Sequence, residues 1–551
     1  NIRDIKMGNI KLGNLLAALE YNAVNTEVYK NTGYENIDKN DGKKNELDFL
    51  DIEISDIVYD SRKVSAGCAF VCIKGARFDS HDILDEVIQK GALAVFVEHD
   101  IKKAEIKDIK PSRESYIIKV ENTRYALAVM SAEYFGRPAD KLISIGVTGT
   151  KGKTTTAHMI KKLLESAGKK TGMIGTNGVY TGSKHIPLVN TTPQSYDLHR
   201  YLNMIYEDGC KYVVMEVSSQ GLKLDRTAGI VFDYAVFTNI SPDHIGPAEH
   251  ENFDEYLYYK STLFYKQCRH AIINIDDING KKIYENIVHD KIADALSTCK
   301  KSKIKAYSFG KADEADFRLC GINYLAEKDF VGISCIIKTT HKEEISEHDE
   351  SDAKLNVNVG IPGRFNALNA TAAAAVAFLL NVNRYILENS LINLHVDGRM
   401  EVVYKSDKYI VIVDYAHNAV SMESLLDTLR DYNPKRLVVV FGCGGNRSKD
   451  RRYSMGEIAG KKADLSIITA DNSRFEKVEG IIADIRKSIE KTGGKFIEIP
   501  DRQGAISYAV ENALKGDIIA VIGKGHEDYQ EINGIRHHFL DREAVMEALK
   551  K

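Results

Sequence analysis

One glycine-rich segment limits the fold of this chain more than any other part of the sequence. Residues 146–156 read GVTGTKGKTTT, after a strand-like apolar run at 141–145 and before apolar residues at helical spacing that end at Gly168. A strand, a glycine loop and a helix in this order can hold phosphate, because backbone N–H groups at the helix N-terminus point at its oxygens. Lys153 adds a positive charge and Thr154 a hydroxyl for Mg²⁺. The segment predicts a nucleoside triphosphate site on an α/β fold.

Polar side chains also follow two later strand-like segments. Glu216 lies near the end of the run at 212–217, and His244 comes soon after the run at 234–238. Open α/β sheets bind ligands at the carboxyl ends of their strands, and Mg²⁺ prefers oxygen ligands. Glu216 is therefore predicted to bind Mg²⁺ directly or through water, and His244 is a second metal-capable side chain at a strand end.

The alternation of strand-like and helix-like segments divides the chain into three regions. We predict an α/β protein with three domains: a small N-terminal α/β domain at 1–138, a central ATP-binding domain at 139–394 and a Rossmann-like C-terminal domain at 395–551. The central domain is expected to contain a mostly parallel, P-loop-type sheet with helices on both faces. Residues 300–358 are charged and irregular, which predicts a small antiparallel appendage with a solvated loop at 342–352.

Composition limits the partners. A net charge of −3 over 551 residues provides no overall attraction to nucleic acid or anionic membrane. The longest strongly apolar run, at 370–380, is shorter than the ~20 residues that span a bilayer. Eight cysteines without a C-x-x-C pair are typical of free thiols in a reducing compartment. We expect small-molecule substrates, no nucleic acid partner, no membrane span, a cytoplasmic location and a monomer.

A series of motifs resembles the Mur ligases, ATP-dependent amide-bond synthetases of peptidoglycan precursor assembly. In chain order the motifs are DSR at 60–62, the phosphate loop, NTTP at 190–193, MEVSSQGL at 215–222, FTNISPDH at 237–244, GRFNALN at 363–369, GRME at 398–401 and DYAH at 414–417. Three more motifs are FGCGGNR at 441–447, DNSR at 471–474 and GKGHEDYQ at 523–530. These last three resemble one branch in particular, the UDP-N-acetylmuramoyl-tripeptide synthetases. Each motif is common by chance, whereas their joint occurrence in family order is not.

The resemblance implies a reaction and a substrate for each of the three domains. The N-terminal domain would hold the UDP-sugar peptide, the central domain Mg-ATP, and the C-terminal domain the incoming amino acid. ATP would phosphorylate the carboxylate of UDP-N-acetylmuramoyl-L-alanyl-D-glutamate, and an amine would attack the acyl phosphate. The product would carry the third residue of the stem peptide.

The resemblance also implies roles for individual residues. The implied catalytic residues are Lys153, Lys260 and His244. The implied metal ligands are Thr154, Glu216, His244 and Lys260, with a CO₂-derived carbamate on Lys260 that positions a second Mg²⁺. The implied nucleotide-binding residues are Gly149, Thr150, Lys151, Gly152, Lys153, Thr154, Thr155, Asn366, Asn369, Arg399, Asp414 and His417. The UDP-sugar peptide would contact Ser61, Thr191, Thr192, Ser218 and Arg226. The amino acid would contact Arg447, Asn472, Arg474, Gly523 and Glu527.

The DNSR motif bears on which amino acid is added. Family members that use meso-diaminopimelate carry an Asp-Asn-Pro-Arg motif whose arginine contacts the distal carboxylate, and lysine users lack that arginine. This chain keeps Asn472 and Arg474. An arginine pairs with a carboxylate through two hydrogen bonds and repels the ammonium of lysine. The resemblance therefore favours meso-diaminopimelate, while Ser473 in place of proline leaves the direction of Arg474 open.

Three alternative functions remain at this point. One is an L-lysine-adding enzyme of the same branch, and another is a ligase similar to folylpolyglutamate synthetase. The third is a nucleotide-binding switch that has lost catalysis. The DSR and GKGHEDYQ motifs favour the Mur branch, and the intact set of Lys153, Thr154, Glu216, His244 and Lys260 speaks against an inactive switch.

Overall fold

The computed structural model describes most of the chain in two compact units. The described residues are 8–21, 27–30, 49–75, 78–99, 115–242, 245–246, 249–289, 304–327, 330–340 and 354–550. Within these ranges, the first unit comprises residues up to 153, 169–273 and 277–306. The second unit comprises residues 154–168, 274–276 and everything from 307 onwards.

The first unit begins with a small sheet. Its elements are β1 (Ile10–Lys11), α1 (Leu12–Tyr21), β2 (Glu27–Lys30), β3 (Glu53–Ile54), β4 (Ile57–Val58), β5 (Ala69–Val71), α2 (Leu84–Gln89), β6 (Ala94–Val97), β7 (Tyr116–Lys119) and α3 (Thr123–Tyr134). Five strands pair in the order β2-β7-β6-β5-β4, with only β2 antiparallel to its neighbour. Along β5, Ala69 and Val71 belong to one apolar cluster and Phe70 to another. Because successive side chains of a strand point to opposite faces, both faces of this sheet are buried.

The chain then forms the sheet that carries the phosphate loop. The elements are β8 (Ile143–Thr148), α4 (Lys153–Ser166), β9 (Thr171–Gly175), β10 (Gly178–Tyr180), β11 (His185–Ile186), α5 (Ser195–Glu207), β12 (Tyr212–Glu216), α6 (Ser219–Lys223), β13 (Phe232–Phe237), α7 (Phe253–Lys266), β14 (Cys268–Asn274) and α8 (Ile278–Val288). Seven strands follow the order β11-β10-β9-β12-β8-β13-β14. The five from β9 to β14 are parallel, and β10 and β11 are antiparallel. The carboxyl ends of β9, β12, β8 and β13 therefore share one edge.

The second unit contains a meander and another sheet. Its elements after α4 are β15 (Lys305–Gly310), β16 (Phe317–Glu327), β17 (Phe330–Thr339), β18 (Lys354–Val359), α9 (Arg364–Leu379), α10 (Arg384–Asn389), β19 (Glu401–Lys405), β20 (Tyr409–Asp414), α11 (Ala419–Arg430), β21 (Arg436–Phe441), α12 (Lys449–Lys462), β22 (Leu465–Ile468), α13 (Val478–Thr492), β23 (Phe496–Glu498), α14 (Arg502–Glu511), β24 (Asp517–Ile522), β25 (Tyr529–Ile532), β26 (Ile535–His538) and α15 (Asp541–Ala548). Strands β16, β17 and β18 pair antiparallel. The C-terminal sheet has the order β19-β20-β24-β21-β22-β23, parallel from β20 onwards.

These elements confirm the predicted α/β class and the mostly parallel sheets. The strand before the phosphate loop, predicted at 141–145, is Ile143–Thr148 instead, because its hydrogen bonds to β12 continue to Val147. The predicted antiparallel appendage is present, although its loop at 342–352 lies outside the described residues. Seven described cysteines are free thiols, and Cys299 lies outside the described part. None of the described helices is long and apolar enough to cross a membrane.

A buried ion pair supports two loops of the C-terminal sheet. Arg502 on α14 makes two hydrogen bonds of 2.7 Å to Asp541, and neither side chain is exposed. The same guanidinium donates to the carbonyl oxygens of Ala470 at 3.1 Å and Ile522 at 3.0 Å. These two residues directly precede Asp471 and Gly523, where the DNSR and GKGHEDYQ motifs begin. The pair therefore connects the starts of both motif loops.

We expect Arg502→Met to lower the free energy of unfolding by about 3–5 kcal/mol, because it leaves the buried carboxylate of Asp541 without a counter-charge. Urea unfolding of the full chain measures this change. Arg486→Met is the matched control, since Arg486 pairs with Glu498 at a partly exposed site (41% and 31% exposed side chains) and should change stability by about 1 kcal/mol or less. Equal effects of the two variants would contradict the role of the buried pair.

Candidate active site

The phosphate loop folds closely over the edge of its sheet. Gly149 has a φ of 148°, and a Cβ there would lie 2.0 Å from Oγ1 of Thr238, so only glycine fits. The Thr150 N–H donates to the carbonyl of Asn239 at 2.9 Å. Lys153 bends back over the loop and donates to the carbonyls of Gly149 at 2.8 Å and Thr150 at 3.1 Å. The predicted strand, loop and helix are therefore present, with the Lys153 ammonium at the loop.

A second lysine reaches the same carbonyl oxygen. Lys260 on α7 is 1% exposed, and its Nζ donates to the carbonyl of Gly149 at 2.9 Å. Its ammonium also lies 4.8 Å from the ring centroid of Tyr256. Two ammonium groups, one buried and one partly exposed, thus share one acceptor, and like charges at this separation repel each other.

The predicted metal ligand Glu216 is held in place by a residue that the sequence analysis missed. Glu216 is fully buried at the end of β12. Its carboxylate accepts the N–H of Thr176 at 2.8 Å and the hydroxyl of Thr176 at 3.2 Å. The same hydroxyl lies 3.0 Å from that of Thr191. No motif marks Thr176, and it is found only because β9 and β12 are neighbours in the sheet.

A cavity of about 200 Å³ in the first unit gathers many of the predicted residues. The predicted residues that line it are Lys153, Lys260, Thr191, Thr192, Ser218 and Arg226. The other lining residues are Val189, Asn190, Ser219, Gln220, Glu249 and His250. Two residues predicted as catalytic and four predicted to bind the UDP-sugar peptide therefore share one cavity.

Arg226 is a second buried cation of this cavity, besides Lys260. It is 8% exposed, and its Nη1 donates to the carbonyl of Thr192 at 2.8 Å. Its Nε has no hydrogen-bond partner among the residues that the structure describes. Burial lowers the pKa of the Arg226 guanidinium from its ordinary value. A buried guanidinium with a donor to spare suits an anionic ligand.

Several other predicted residues of the first unit do not line this cavity. Ser61 begins a short 3₁₀ turn after β4, and its carbonyl accepts a hydrogen bond from Lys90 at 3.1 Å. Lys151 lies in the phosphate loop, where its N–H donates to the side chain of Asn239 at 3.0 Å. Gly152, with a φ of 87°, completes the loop. His244 lies outside the described residues.

The remaining nucleotide-binding candidates lie in the second unit. Thr154 and Thr155 are buried in the first turn of α4. Asn366 and Asn369 are buried on one face of α9, and the Asn369 amide donates to Oδ1 of Asn366 at 3.0 Å. This spacing of three residues brings both amides together on the helix.

Arg399, Asp414 and His417 meet around Tyr415. The Arg399 guanidinium lies 4.8 Å from the Tyr415 ring centroid, and its Nε has no hydrogen-bond partner among the described residues. Asp414, at the end of β20, accepts the N–H groups of Met400 and Ala416, both at 2.8 Å. His417 is exposed, with Nδ1 2.9 Å from the carbonyl of Tyr415. It is therefore accessible to a ligand.

The predicted amino-acid site forms at the carboxyl ends of adjacent parallel strands. The DNSR motif follows β22 and the GKGHEDYQ motif follows β24, while the FGCGGNR motif includes the end of β21. The Asn472 amide donates to Oε2 of Glu527 at 3.0 Å, and a Cβ on Gly523 would lie 2.7 Å from a carboxylate oxygen of Asp471. Arg447 is exposed in the loop after β21. The fold therefore brings these motifs together, as open α/β sheets do with their ligand sites.

The hairpin of β25 and β26 determines where Arg474 lies. The Arg474 N–H donates to the carbonyl of Glu531 at 2.9 Å, and the Asn533 N–H donates to the carbonyl of Arg474 at 2.6 Å. These bonds hold Arg474 at a φ of 50°. Its Nη1 donates to the carbonyl of Gly445 at 2.6 Å, and its Nε lies 3.6 Å from Glu531. Hydrogen bonds to the hairpin thus replace the proline that would fix this backbone.

Comparison with known proteins agrees with this arrangement. The "Mur ligase family, catalytic domain" model matches residues 53–135, the "Mur ligase middle domain" model residues 147–377, and the "Mur ligase, glutamate ligase domain" model residues 398–525. The UDP-N-acetylmuramoyl-L-alanyl-D-glutamate–2,6-diaminopimelate ligase of Clostridium perfringens (strain 13 / Type A) is 38% identical over 90% of this chain and 95% of its own length. This chain belongs to the Mur ligase family.

Further Mur ligases resemble the chain in sequence and in fold. The enzyme of the same name from Clostridioides difficile (strain 630) is 37% identical over 91% of this chain and 96% of its own length. A solved structure of a UDP-N-acetylmuramoyl-L-alanyl-D-glutamate–2,6-diaminopimelate ligase matches with a TM-score of 0.63 and 27% identity. It covers 90% of this chain and 95% of the other. The three-domain architecture of Mur ligases is therefore confirmed, while the bounds at 138 and 394 stay predictions.

Two side chains that were not predicted as site residues, Lys524 and Tyr415, contact the predicted amino-acid site of this Mur ligase. Lys524 is fully buried beside Asn472 and Glu527, and the Tyr415 hydroxyl donates to Glu527 at 3.3 Å. Both belong to motifs that carry the family resemblance, GKGHEDYQ and DYAH. Their presence in these motifs could have marked both residues as candidates, but a motif does not show which neighbours a side chain contacts.

Proposed function

We propose that this Mur ligase adds the third residue of the stem peptide to UDP-N-acetylmuramoyl-L-alanyl-D-glutamate, with ATP cleaved to ADP and phosphate. It would act in the cytoplasm as a monomer, in peptidoglycan precursor synthesis. The observation that carries the proposal is the single cavity in which Lys153 and Lys260 meet Thr191, Thr192 and Arg226. A phosphate-loop lysine and a buried guanidinium in one cavity suit a reaction between two anions.

The first step would join the substrate carboxylate to the γ-phosphate. A carboxylate oxygen attacks phosphorus, the bond to the β-phosphate oxygen breaks, and ADP leaves. Lys153 would neutralise the charge that builds up on the phosphoryl oxygens, because it already lies over the loop that holds them. Arg226 would hold an anionic group of the UDP-sugar peptide.

The residues present also fit a magnesium site. Glu216 is buried, and its two carboxylate oxygens are oriented by Thr176. Mg²⁺ prefers oxygen ligands, such as those of carboxylate, hydroxyl and carbamate groups. The hydroxyl of the predicted ligand Thr154 is of this kind. Bound Mg²⁺ would supply positive charge for phosphoryl transfer.

The acceptor that Lys153 and Lys260 share supports a carbamate on Lys260. Both ammonium groups donate to the carbonyl oxygen of Gly149, so a neutral or negative group at one of them would remove a repulsion. The neutral Lys260 amine would attack the carbon of CO₂ and lose a proton, which forms a carbamate. The carbamate would convert a cation into an anion that attracts Lys153 and a metal ion. This modification is part of the proposal.

In the second step the amine of the incoming amino acid would attack the acyl phosphate. A carbon–nitrogen bond forms, the carbon–oxygen bond to phosphate breaks, and the amine loses a proton. Asn472 and Glu527 offer an amide and a carboxylate for the amino acid, and Arg474 offers a guanidinium. A distal carboxylate on the substrate would pair with that guanidinium, as meso-diaminopimelate could and lysine could not. The printed names of the relatives, 2,6-diaminopimelate ligases, favour the same amino acid.

Phosphate release tests the reaction class. It should require ATP, UDP-N-acetylmuramoyl-L-alanyl-D-glutamate and an amino acid together, with a ligated product of matching mass. Phosphate release without product would favour a nucleotide-dependent switch. Ligation to a folate instead of the UDP-sugar peptide would favour the folylpolyglutamate alternative.

A competition experiment tests the amino acid. With meso-diaminopimelate, lysine and ornithine supplied together, product mass should show meso-diaminopimelate. Arg474→Ala should lower kcat/KM for meso-diaminopimelate by about 10- to 100-fold, because a charged hydrogen-bonded pair is lost. Arg536→Ala is the matched control, since Arg536 is an exposed arginine of the same hairpin that stacks on Tyr529. A product that contains only lysine would refute the role of Arg474.

A further inference from the structure

Lys524 is a fully buried lysine whose polar neighbours lie in the predicted amino-acid site. It follows β24 by two residues and has no exposed surface. Its Nζ lies 3.2 Å from Oε2 of Glu527 and 3.3 Å from Oδ1 of Asn472, and it lies 5.2 Å from the ring centroid of Tyr529. A buried ammonium is costly unless it is paired, so the carboxylate of Glu527 accounts for its stability here.

The contacts of Lys524 set the direction of the Asn472 amide. Oδ1 of Asn472 accepts from Lys524 and also from the N–H of Glu531 at 2.9 Å. A flipped amide would place its NH₂ group against these two donors. The NH₂ group therefore faces Glu527, to which it donates at 3.0 Å.

The contacts of Lys524 also fix the carboxylate of Glu527. Oε2 accepts from Lys524 and Asn472, and Oε1 accepts from the hydroxyl of Tyr415 at 3.3 Å. Burial raises the pKa of Tyr415 to about 12, so this hydroxyl stays a proton donor near neutral pH. Three donors thus hold a carboxylate whose side chain remains 20% exposed and so accessible to a ligand.

We propose that Lys524 is a positioning residue of the amino-acid site. Its ammonium holds the Glu527 carboxylate and the Asn472 amide in the orientation that receives the amine and carboxylate of the incoming amino acid. Because the Lys524 side chain has no exposed surface, it acts through Glu527 and Asn472 and does not touch the substrate. The inference rests on the proposed function, which places the amino acid at these residues.

The test compares Lys524→Met and Lys524→Gln with wild type. Each variant should raise KM for meso-diaminopimelate by about 10- to 100-fold, the effect of losing one charged hydrogen bond, while KM for ATP stays within about 3-fold. Lys515→Met is the matched control, because Lys515 is exposed in the loop before β24, and its kinetics should equal those of wild type. Lys524→Gln keeps a hydrogen-bond donor and should fold if the methionine variant does not, which thermal unfolding checks.

A double variant separates positioning from a general structural role. If Lys524 acts through Glu527, adding Lys524→Met to Glu527→Gln should cause little further rise in KM for meso-diaminopimelate. Additive effects, or equal rises in KM for ATP and meso-diaminopimelate, would overturn the proposal.

Direct binding distinguishes this inference from the proposed function. Calorimetry measures meso-diaminopimelate binding to wild type and to Lys524→Met in the presence of a non-hydrolysable ATP analogue and the UDP-sugar peptide, so that no turnover contributes heat. If wild type binds but forms no product, the proposed function fails and Lys524 is judged by the affinity difference alone. Equal affinities would overturn the role of Lys524, and no binding to wild type would overturn both.

Discussion

Lys153→Ala is expected to abolish ATP-dependent ligation, with a fall in kcat of at least about 10²- to 10³-fold. The Lys153 ammonium lies over the phosphate loop, bonded to the carbonyls of Gly149 and Thr150. When phosphate binds there, this cation would lie where negative charge builds up in the transition state. Removing one preorganised donor of this kind has an effect of that size in other enzymes.

Product mass and phosphate release, measured with saturating ATP, check this expectation. Lys162→Ala is the matched control, because Lys162 is a lysine on the same helix, α4. Lys153→Arg tests whether charge alone is enough, since the planar guanidinium cannot reproduce the point charge of an ammonium. Substantial residual ligation by Lys153→Ala would contradict the assignment of the phosphate loop to ATP binding.

Lys260→Ala is expected to lose ligation by about 10²-fold or more and to regain part of it with short carboxylic acids at high concentration. Lys260 is buried beside Gly149 and Tyr256, so its truncation leaves a space that a small carboxylic acid can enter. There a carboxylate would replace the proposed carbamate. Lys260→Met fills the same space without a charge and should lose activity without rescue.

Two controls make the Lys260 experiment decisive. Lys266→Ala changes another lysine on α7, in its last turn, and should leave ligation close to wild type. Carbon-13 NMR of wild type in labelled bicarbonate should show a carbamate signal that is missing from Lys260→Ala. Turnover of Lys260→Ala at the wild-type rate would remove Lys260 from the metal site, and no labelled carbamate on wild type would refute the modification.

Lys153 and Lys260 are far apart in the sequence, but the fold brings both ammonium groups to one acceptor. Lys153 begins α4 and Lys260 lies on α7, yet both donate to the carbonyl of Gly149. The strand order β12-β8-β13 places the loop after β8 between its neighbours, and α7 follows β13. No local pattern encodes that order. The sequence therefore indicates both lysines but not the acceptor that they share.

The positions of Arg226 and Arg474 likewise could not be predicted from the sequence. A lone arginine in a sequence is usually a surface residue, but Arg226 is 8% exposed and lines the cavity beside Thr192. The DNSR motif left the direction of Arg474 open, and the hairpin of β25 and β26 determines it through two backbone hydrogen bonds. In both cases the decisive contact comes from a segment distant in the chain.

The local elements, and the chemistry that they can carry, were predictable from the amino-acid sequence. Glycines that require an unusual φ, such as Gly149, and apolar residues at helical spacing act over a few residues, so the strand, loop and helix around Lys153 were predictable. Motif order also predicted the Mur ligase family. Tertiary structure alone decided which side chains meet: Thr176 with Glu216, Lys260 with Gly149, and Lys524 with Glu527. The physical reason is that these contacts depend on strand order and close packing, which join residues that no local pattern relates.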